Sequence, residues 1–197
     1  MKFAFFYVPS YSPHKTKNLT RLEIKLKTES FNYIENWESA PQAQEKFDLK
    51  EYVQLIQRLI ISFIQKNSNQ EIRIIGTSFG AGVLHHILNK IRISKKIKIF
   101  LFKPVFFINL NKVSKIKDFK IRNYEIFLDY QKKSFSIPYC ELYYVFGDKD
   151  LLTGKPEENF KMIENFSKLL ILKNSTHQSR EDEFPQFKDF YIKFLEN

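Results

Sequence analysis

"EIRIIGTSFGAGVLHHIL", residues Glu71 to Leu88, decides how this chain is read. Only five of the 197 residues are glycine, yet Gly76, Gly80 and Gly82 cluster here around Ser78. Before them, "EIRII" is short, apolar and rich in isoleucine, the signature of a buried strand. After them, "FGAGVLHHILNKI" has the length and composition of a helix. Gly76-Thr77-Ser78-Phe79-Gly80 is therefore a G-x-S-x-G sequence in a strand-to-helix context. Such a turn forces its serine into a sharp, exposed conformation. Gly76 and Gly80 permit it, because side chains there would collide where strand and helix pack. Gly82 and Ala81 extend that allowance into the first helical turn. The backbone N–H of Phe79, beside the helix start, would then face an oxyanion forming on a substrate.

Outward from this turn the chain alternates. "KFAFFYV" (residues 2–8), "SFNYIEN" (Ser30 to Asn36), "KIKIFLF" (Lys96 to Phe102), "CELYYVF" and "KLLILKN" read as further strands. Helices are expected across "HKTKNLTRLEIKLK", from Asp48 onward, over "PEENFKMIENF" and over "EDEFPQFKDFYIKFLE". Asp48 and Glu51 form a D-x-x-E variant of the capping box that satisfies unpaired helix-start amides. Behind it Leu49, Tyr52, Val53, Ile56, Leu59, Ile60, Phe63 and Ile64 recur at the spacing of one buried stripe. "ESAPQAQEKF" reads as a loop, and Asn109 to Ser136 is polar and lysine-rich. The alternation predicts a three-layer α/β/α sandwich with a mainly parallel sheet, formed by residues 1–197 as one domain. Neither a repeat nor a linker interrupts it.

At 43 % hydrophobic residues the chain can bury a sizeable core. One cysteine, Cys140, excludes an internal disulfide and fits a reducing compartment. No stretch approaches the roughly 20 apolar residues of a membrane span. The apolar run in "MKFAFFYVPS" is too short for a secretory leader and lacks a cleavage site, so a cytoplasmic protein is expected. The net charge of +10 comes mainly from lysines scattered among Ile, Phe and Asn. It would favour anionic partners such as acyl carrier protein or coenzyme A. No aromatic-basic nucleic-acid motif appears, and the single cysteine and scattered histidines lack metal-ligand spacing. No cofactor is expected.

A reactive serine needs a base and a carboxylate that orients it. Both are expected later in the chain, each just after a strand. "YYVFGDKDLL" supplies Asp148 and Asp150 beyond Gly147, and "LLILKNSTHQS" supplies His177 after the last strand. Asp150 is preferred, because the turn after Gly147 brings a G-x-x-D aspartate back over the sheet edge; Asp148 is the alternative. His85 and His86 lie on the helix after Ser78 as structural residues, and His14 comes too early. A second oxyanion donor is expected from the loop after the first strand, at Tyr11 or else Ser10.

With these residues the sequence resembles the α/β-hydrolase superfamily, and within it the small, cap-less bacterial esterases of the YqiA type. The resemblance spans nearly the whole chain and rests on "SPHKTKNLTRLEIKL", "IIGTSFGAG", "FKP", "FGDKD" and "STHQ". It implies Ser78 as nucleophile, Asp150 as acid, His177 as base, and Phe79 and Tyr11 as oxyanion donors. The family usually carries His-Gly in the first loop, where Pro9-Ser10 stand here.

Little sequence separates Phe102 from Leu142, so any lid is small. An open site lined by Tyr11, Phe79, Phe106 and Phe107 is expected, although Phe106 and Phe107 read equally well as core residues. That site suits a small-molecule ester with a short acyl chain. Two alternatives stand beside this carboxylesterase reading: an esterase or thioesterase acting on acyl groups carried by acyl carrier protein or coenzyme A, and a hydrolase-fold binding protein with weak or lost activity.

Overall fold

Strands buried on both faces read as near-continuous apolar runs, and four runs in this chain, interrupted at Arg73, Thr77, Lys98 and Glu141, come close to that pattern. In the computed structural model they are β1 (Phe3–Val8), β3 (Ile72–Thr77), β4 (Ile97–Phe102) and β5 (Cys140–Gly147). β2 (Ile34–Ser39) and β6 (Ser167–Leu172) close the edges. All pairings are parallel, in the order β2-β1-β3-β4-β5-β6. The structure describes residues 2–11, 21–43, 48–88, 91, 96–105, 140–150, 167–178 and 180–196. The expected helix over "PEENFKMIENF" and the segment Asn109 to Ser136 lie outside them.

Helices α1 (Arg21–Ser30), α2 (Leu49–Lys66), α3 (Ser78–Leu88) and α4 (Phe184–Glu196) cover the two faces. Along β1, Ala4, Phe6 and Val8 pack with α2 and α3, whereas Phe3, Phe5 and Tyr7 pack with α1 and α4. This period-two division places one apolar core on each side of the sheet. Asp48 caps α2 by accepting from the amides of Lys50 and Glu51 at 2.8 and 3.2 Å. The α2 stripe is buried at Leu49, Tyr52, Val53, Ile56, Ile60 and Phe63, with Leu59 and Ile64 packed at its margin.

Two expected boundaries move. The strand expected over Ser30 to Asn36 forms at Ile34–Ser39, so it takes Glu38 and Ser39 from the expected loop. Ser30 instead closes α1, its hydroxyl donating to the Leu26 carbonyl at 2.7 Å. Phe31, which made the earlier segment look strand-like, is exposed in the turn between them. The last helix begins later than expected, because Glu181–Glu183 form a separate 3₁₀ turn before α4.

Register aligns the carboxyl ends of the strands. Val8 lies opposite Gly76, Thr77 opposite Phe102, Phe102 opposite Val145, and Gly147 opposite Leu172. The segments after β1, β3, β4, β5 and β6 therefore leave the sheet along a single edge. In open α/β sheets this is the edge where ligands bind.

Candidate active site

From Ile72 to Leu88 every residue is buried except Ser78, which is partly exposed at the junction of β3 and α3. Its φ is 50°, a left-handed conformation that costs a non-glycine residue about 1–3 kcal/mol. The glycines explain how so tight a junction packs. A Cβ on Gly80 would lie 2.2 Å from the Pro9 carbonyl oxygen and 2.5 Å from that of Val8. The loop after β1 is thus seated directly against the start of α3. At Gly76 a Cβ would come within 2.7 Å of the Ala81 Cα.

Two distant segments converge on this serine. His177, in the loop after β6, has Nε2 2.7 Å from the Ser78 Oγ. Its Nδ1 lies 2.8 Å from Oδ2 of Asp150, which follows β5 and is 2 % exposed. The Asp150 amide donates to the Gly147 carbonyl at 3.2 Å, closing the turn that returns the carboxylate over the sheet edge. Asp148 points elsewhere. Its Oδ1 accepts the Ser175 amide at 3.0 Å, and backbone amides of Asn174 and Ser175 hold its carboxyl below the usual aspartate range. The structure therefore joins Asp150 to the imidazole and uses Asp148 to fasten the loop that carries it.

Phe79 follows Ser78 in the first turn of α3, where amides have no partner within the helix. Its ring is 2 % exposed and packs with Tyr11 and Tyr52, so it belongs to the core and does not line an open site as expected. Tyr11 is partly buried in the loop after β1. The alternative donor, the Ser10 amide, is directed at Oε1 of Glu23 at 3.5 Å, and the Ser10 hydroxyl reaches the same oxygen at 3.2 Å. Phe106 and Phe107 lie outside the described residues. His85 and His86 are buried on α3, and burial pushes His85 down to about 3, leaving it neutral. Among the described residues no group of three His, Cys, Asp or Glu could hold a metal ion, and no helix is long and apolar enough to cross a membrane.

Three charged residues beside the site were not singled out from sequence. Glu23 of α1 is 2 % exposed and accepts from the Tyr7 hydroxyl and from Thr77 Oγ1, the residue before Ser78. Burial and the Glu23 carboxylate together push the Tyr7 phenol well above its usual range. Lys103, just past β4, is fully buried and pairs with Glu183 at 2.7 Å. Burial pulls its ammonium below the usual lysine range, against the opposing pull of Glu183. A charged residue directly after an apolar strand was the one available signal for Lys103.

Among the described residues, those with positive φ other than glycine are Ser78, Lys103 and Asn174. All three stand just beyond a strand, at the same edge of the sheet. Backbone strain of this kind collects where function constrains the chain.

No family model matches the sequence, and no curated protein matches it. Solved structures do resemble the fold. A monoacylglycerol lipase of Paleococcus ferrophilus aligns over 99 % of this chain and 97 % of its own, with TM-score 0.65 and 11 % identity. Est1E from Butyrivibrio proteoclasticus aligns over 100 % and 90 %, with TM-score 0.63 and 12 % identity. The 2-hydroxy-6-oxo-6-phenylhexa-2,4-dienoate hydrolase of a Rhodococcus species aligns over 100 % and 91 %, with TM-score 0.64 and 11 % identity. At such identities the likeness is one of architecture: the chain has the α/β-hydrolase fold.

Proposed function

We propose that this protein is a serine hydrolase that cleaves short-chain carboxylic esters through an acyl-enzyme, in the manner of the YqiA-type esterases its motifs resemble. The observation that carries the reading is the unbroken line from Ser78 Oγ to His177 Nε2 at 2.7 Å and from His177 Nδ1 to Asp150 Oδ2 at 2.8 Å. Ser78 Oγ attacks the ester carbonyl as its proton passes to His177 Nε2. Asp150 holds the imidazole with Nδ1 protonated and stabilises the positive charge that develops on it. The amides of Phe79 and Tyr11 receive the oxyanion. When the C–O bond breaks, the imidazolium protonates the departing alkoxide. Water then repeats the sequence on the acyl-enzyme, releasing the acid and restoring Ser78. The alternative second donor, the Ser10 amide, is directed at Glu23.

A p-nitrophenyl ester series of increasing chain length tests this reading. The expected result is turnover that is highest for the shortest acyl groups and falls by about 10⁴-fold or more in Ser78→Ala. Turnover no greater in the parent than in Ser78→Ala would overturn it and favour a hydrolase-fold binding protein.

A second reading draws on the net charge of +10, which suits an acyl group delivered on acyl carrier protein or coenzyme A. It predicts a preference for the carrier-bound thioester that weakens as salt rises. A salt-independent preference for the small ester excludes it.

A further inference from the structure

Lys103 presents a physical oddity. The chain buries a lysine completely, in a left-handed backbone conformation with φ 47°, immediately behind the candidate site. Its Nζ donates to Oε2 of Glu183 at 2.7 Å and to the Gln178 carbonyl at 3.1 Å. Glu183 in turn accepts from Ser175 Oγ at 2.7 Å and from the Arg180 amide at 3.3 Å. The pair thereby grips the loop at Ser175, Gln178 and Arg180, on both sides of His177. Across the loop, the Lys149 amide holds the Ser175 carbonyl at 2.9 Å, and Asp148 holds the Ser175 amide. His177 is thus suspended between two sets of directional contacts.

We propose that Lys103 and Glu183 are positioning residues, a buried ionic strut that fixes the His177 loop so that the imidazole meets Ser78 and Asp150 together. This rests on the serine-hydrolase reading for its catalytic consequence, although the geometry of the strut stands without it. An apolar pair of similar volume would serve the core equally well, since burying two ions costs much of what their attraction returns. What an apolar pair lacks is direction. Only hydrogen-bonding groups can fix the loop at three points, two on its backbone and one at the Ser175 hydroxyl. Besides Glu183, the charged groups acting on the Lys103 ammonium are Asp150, which favours it, and Arg180, which opposes it. The strut is therefore electrostatically close to the Asp150–His177 pair as well as mechanically tied to it.

The test compares the parent with Glu183→Gln and with the double variant Lys103→Met/Glu183→Gln, which leaves no lone buried ion. Four quantities are read: thermal midpoint, kcat and KM for a short p-nitrophenyl ester, and the low-field proton resonance of His177 Nδ1–H, assigned through its loss in His177→Ala. The double variant is expected to stay folded, to lose about 10–100-fold in kcat with KM within about twofold, and to broaden or lose the resonance. Glu183→Gln keeps one acceptor oxygen of the two that Ser175 and Arg180 use and leaves the Lys103 ammonium without its carboxylate, so it is expected to lower the thermal midpoint more than the double variant does and to lose kcat at least as far. Should the double variant not fold, Ser175→Ala, which cuts one tie between the strut and the loop and leaves the ion pair intact, carries the same expectation at smaller amplitude. A folded variant with the parent's kcat and an unchanged resonance would overturn the proposal. The resonance needs no turnover, so its presence in a parent without esterase activity and its loss in the double variant would support the strut while the hydrolase reading fell.

Discussion

Replacing Asp150 with asparagine is expected to lower kcat for a short ester by about 10⁴-fold, while Asp148→Asn leaves it within about tenfold of the parent. The two residues differ by two positions in "FGDKD" but not in charge, so the contrast isolates geometry. Asp150 accepts a proton-bearing nitrogen of His177 at 2.8 Å while itself 2 % exposed. An asparagine there can present its amide N–H to Nδ1 and stabilise the wrong tautomer, which puts the proton where the base must be free. At Asp148 an asparagine keeps an oxygen able to accept the Ser175 amide, so the loop stays tied. Steady-state kinetics on both variants decides the matter, and the reverse order would reassign the acid. The substitution at 148 also carries a pH signature. Because its folded carboxyl is held below the ordinary range, Asp148 steadies the loop above about pH 4 and loses that contribution as pH falls further. Stability of the Asp148→Asn variant should therefore respond less to acid than that of the parent.

Gly80→Ala is expected to cost about 3 kcal/mol of stability and to abolish measurable turnover. The added methyl carbon would stand 2.2 Å from one backbone oxygen and 2.5 Å from another, and neither can rotate away as a side chain could. Either α3 moves off β1 or the loop from Pro9 to Tyr11 moves off α3. Both displace the proposed second oxyanion donor relative to Ser78, and a shift of about 1 Å in a catalytic group can cost roughly 100-fold. A urea denaturation midpoint measures the first effect and ester turnover the second. A variant with the parent's midpoint and kcat would show that the loop is not seated against the elbow.

The central strands were legible because a parallel sheet covered on both faces favours near-continuous apolar runs, and β1, β3, β4 and β5 approach this despite Arg73, Lys98 and Glu141. β2 was misplaced for the complementary reason. Its sequence, IENWES, is polar at an edge, and pairing with β1 decides its limits where local hydrophobicity does not. That Ser78, His177 and Asp150 would meet at one edge of the sheet was legible through a motif and an order along the chain. The placement of the Phe79 ring was not, because a residue beside the strand-to-helix serine can face the core as readily as the sheet edge. The burial of Glu23 and the pairing of Lys103 with Glu183 were not read, for a deeper reason. In a chain with 32 lysines and arginines, the place of Lys103 directly after an apolar strand is a weak signal, and nothing local names its partner 80 positions away. Charged residues take their meaning from long-range contacts, which composition and periodicity do not encode.

The account depends on Ser78 being chemically activated. Reaction of the folded protein with a fluorophosphonate, followed by mass spectrometry of its peptides, measures this without knowledge of the natural substrate. The predicted result is a single phosphonyl adduct on Ser78, absent from Ser78→Ala and slowed by at least about 100-fold in His177→Ala. A folded protein that takes up no label, or takes it up at another residue, would contradict the account.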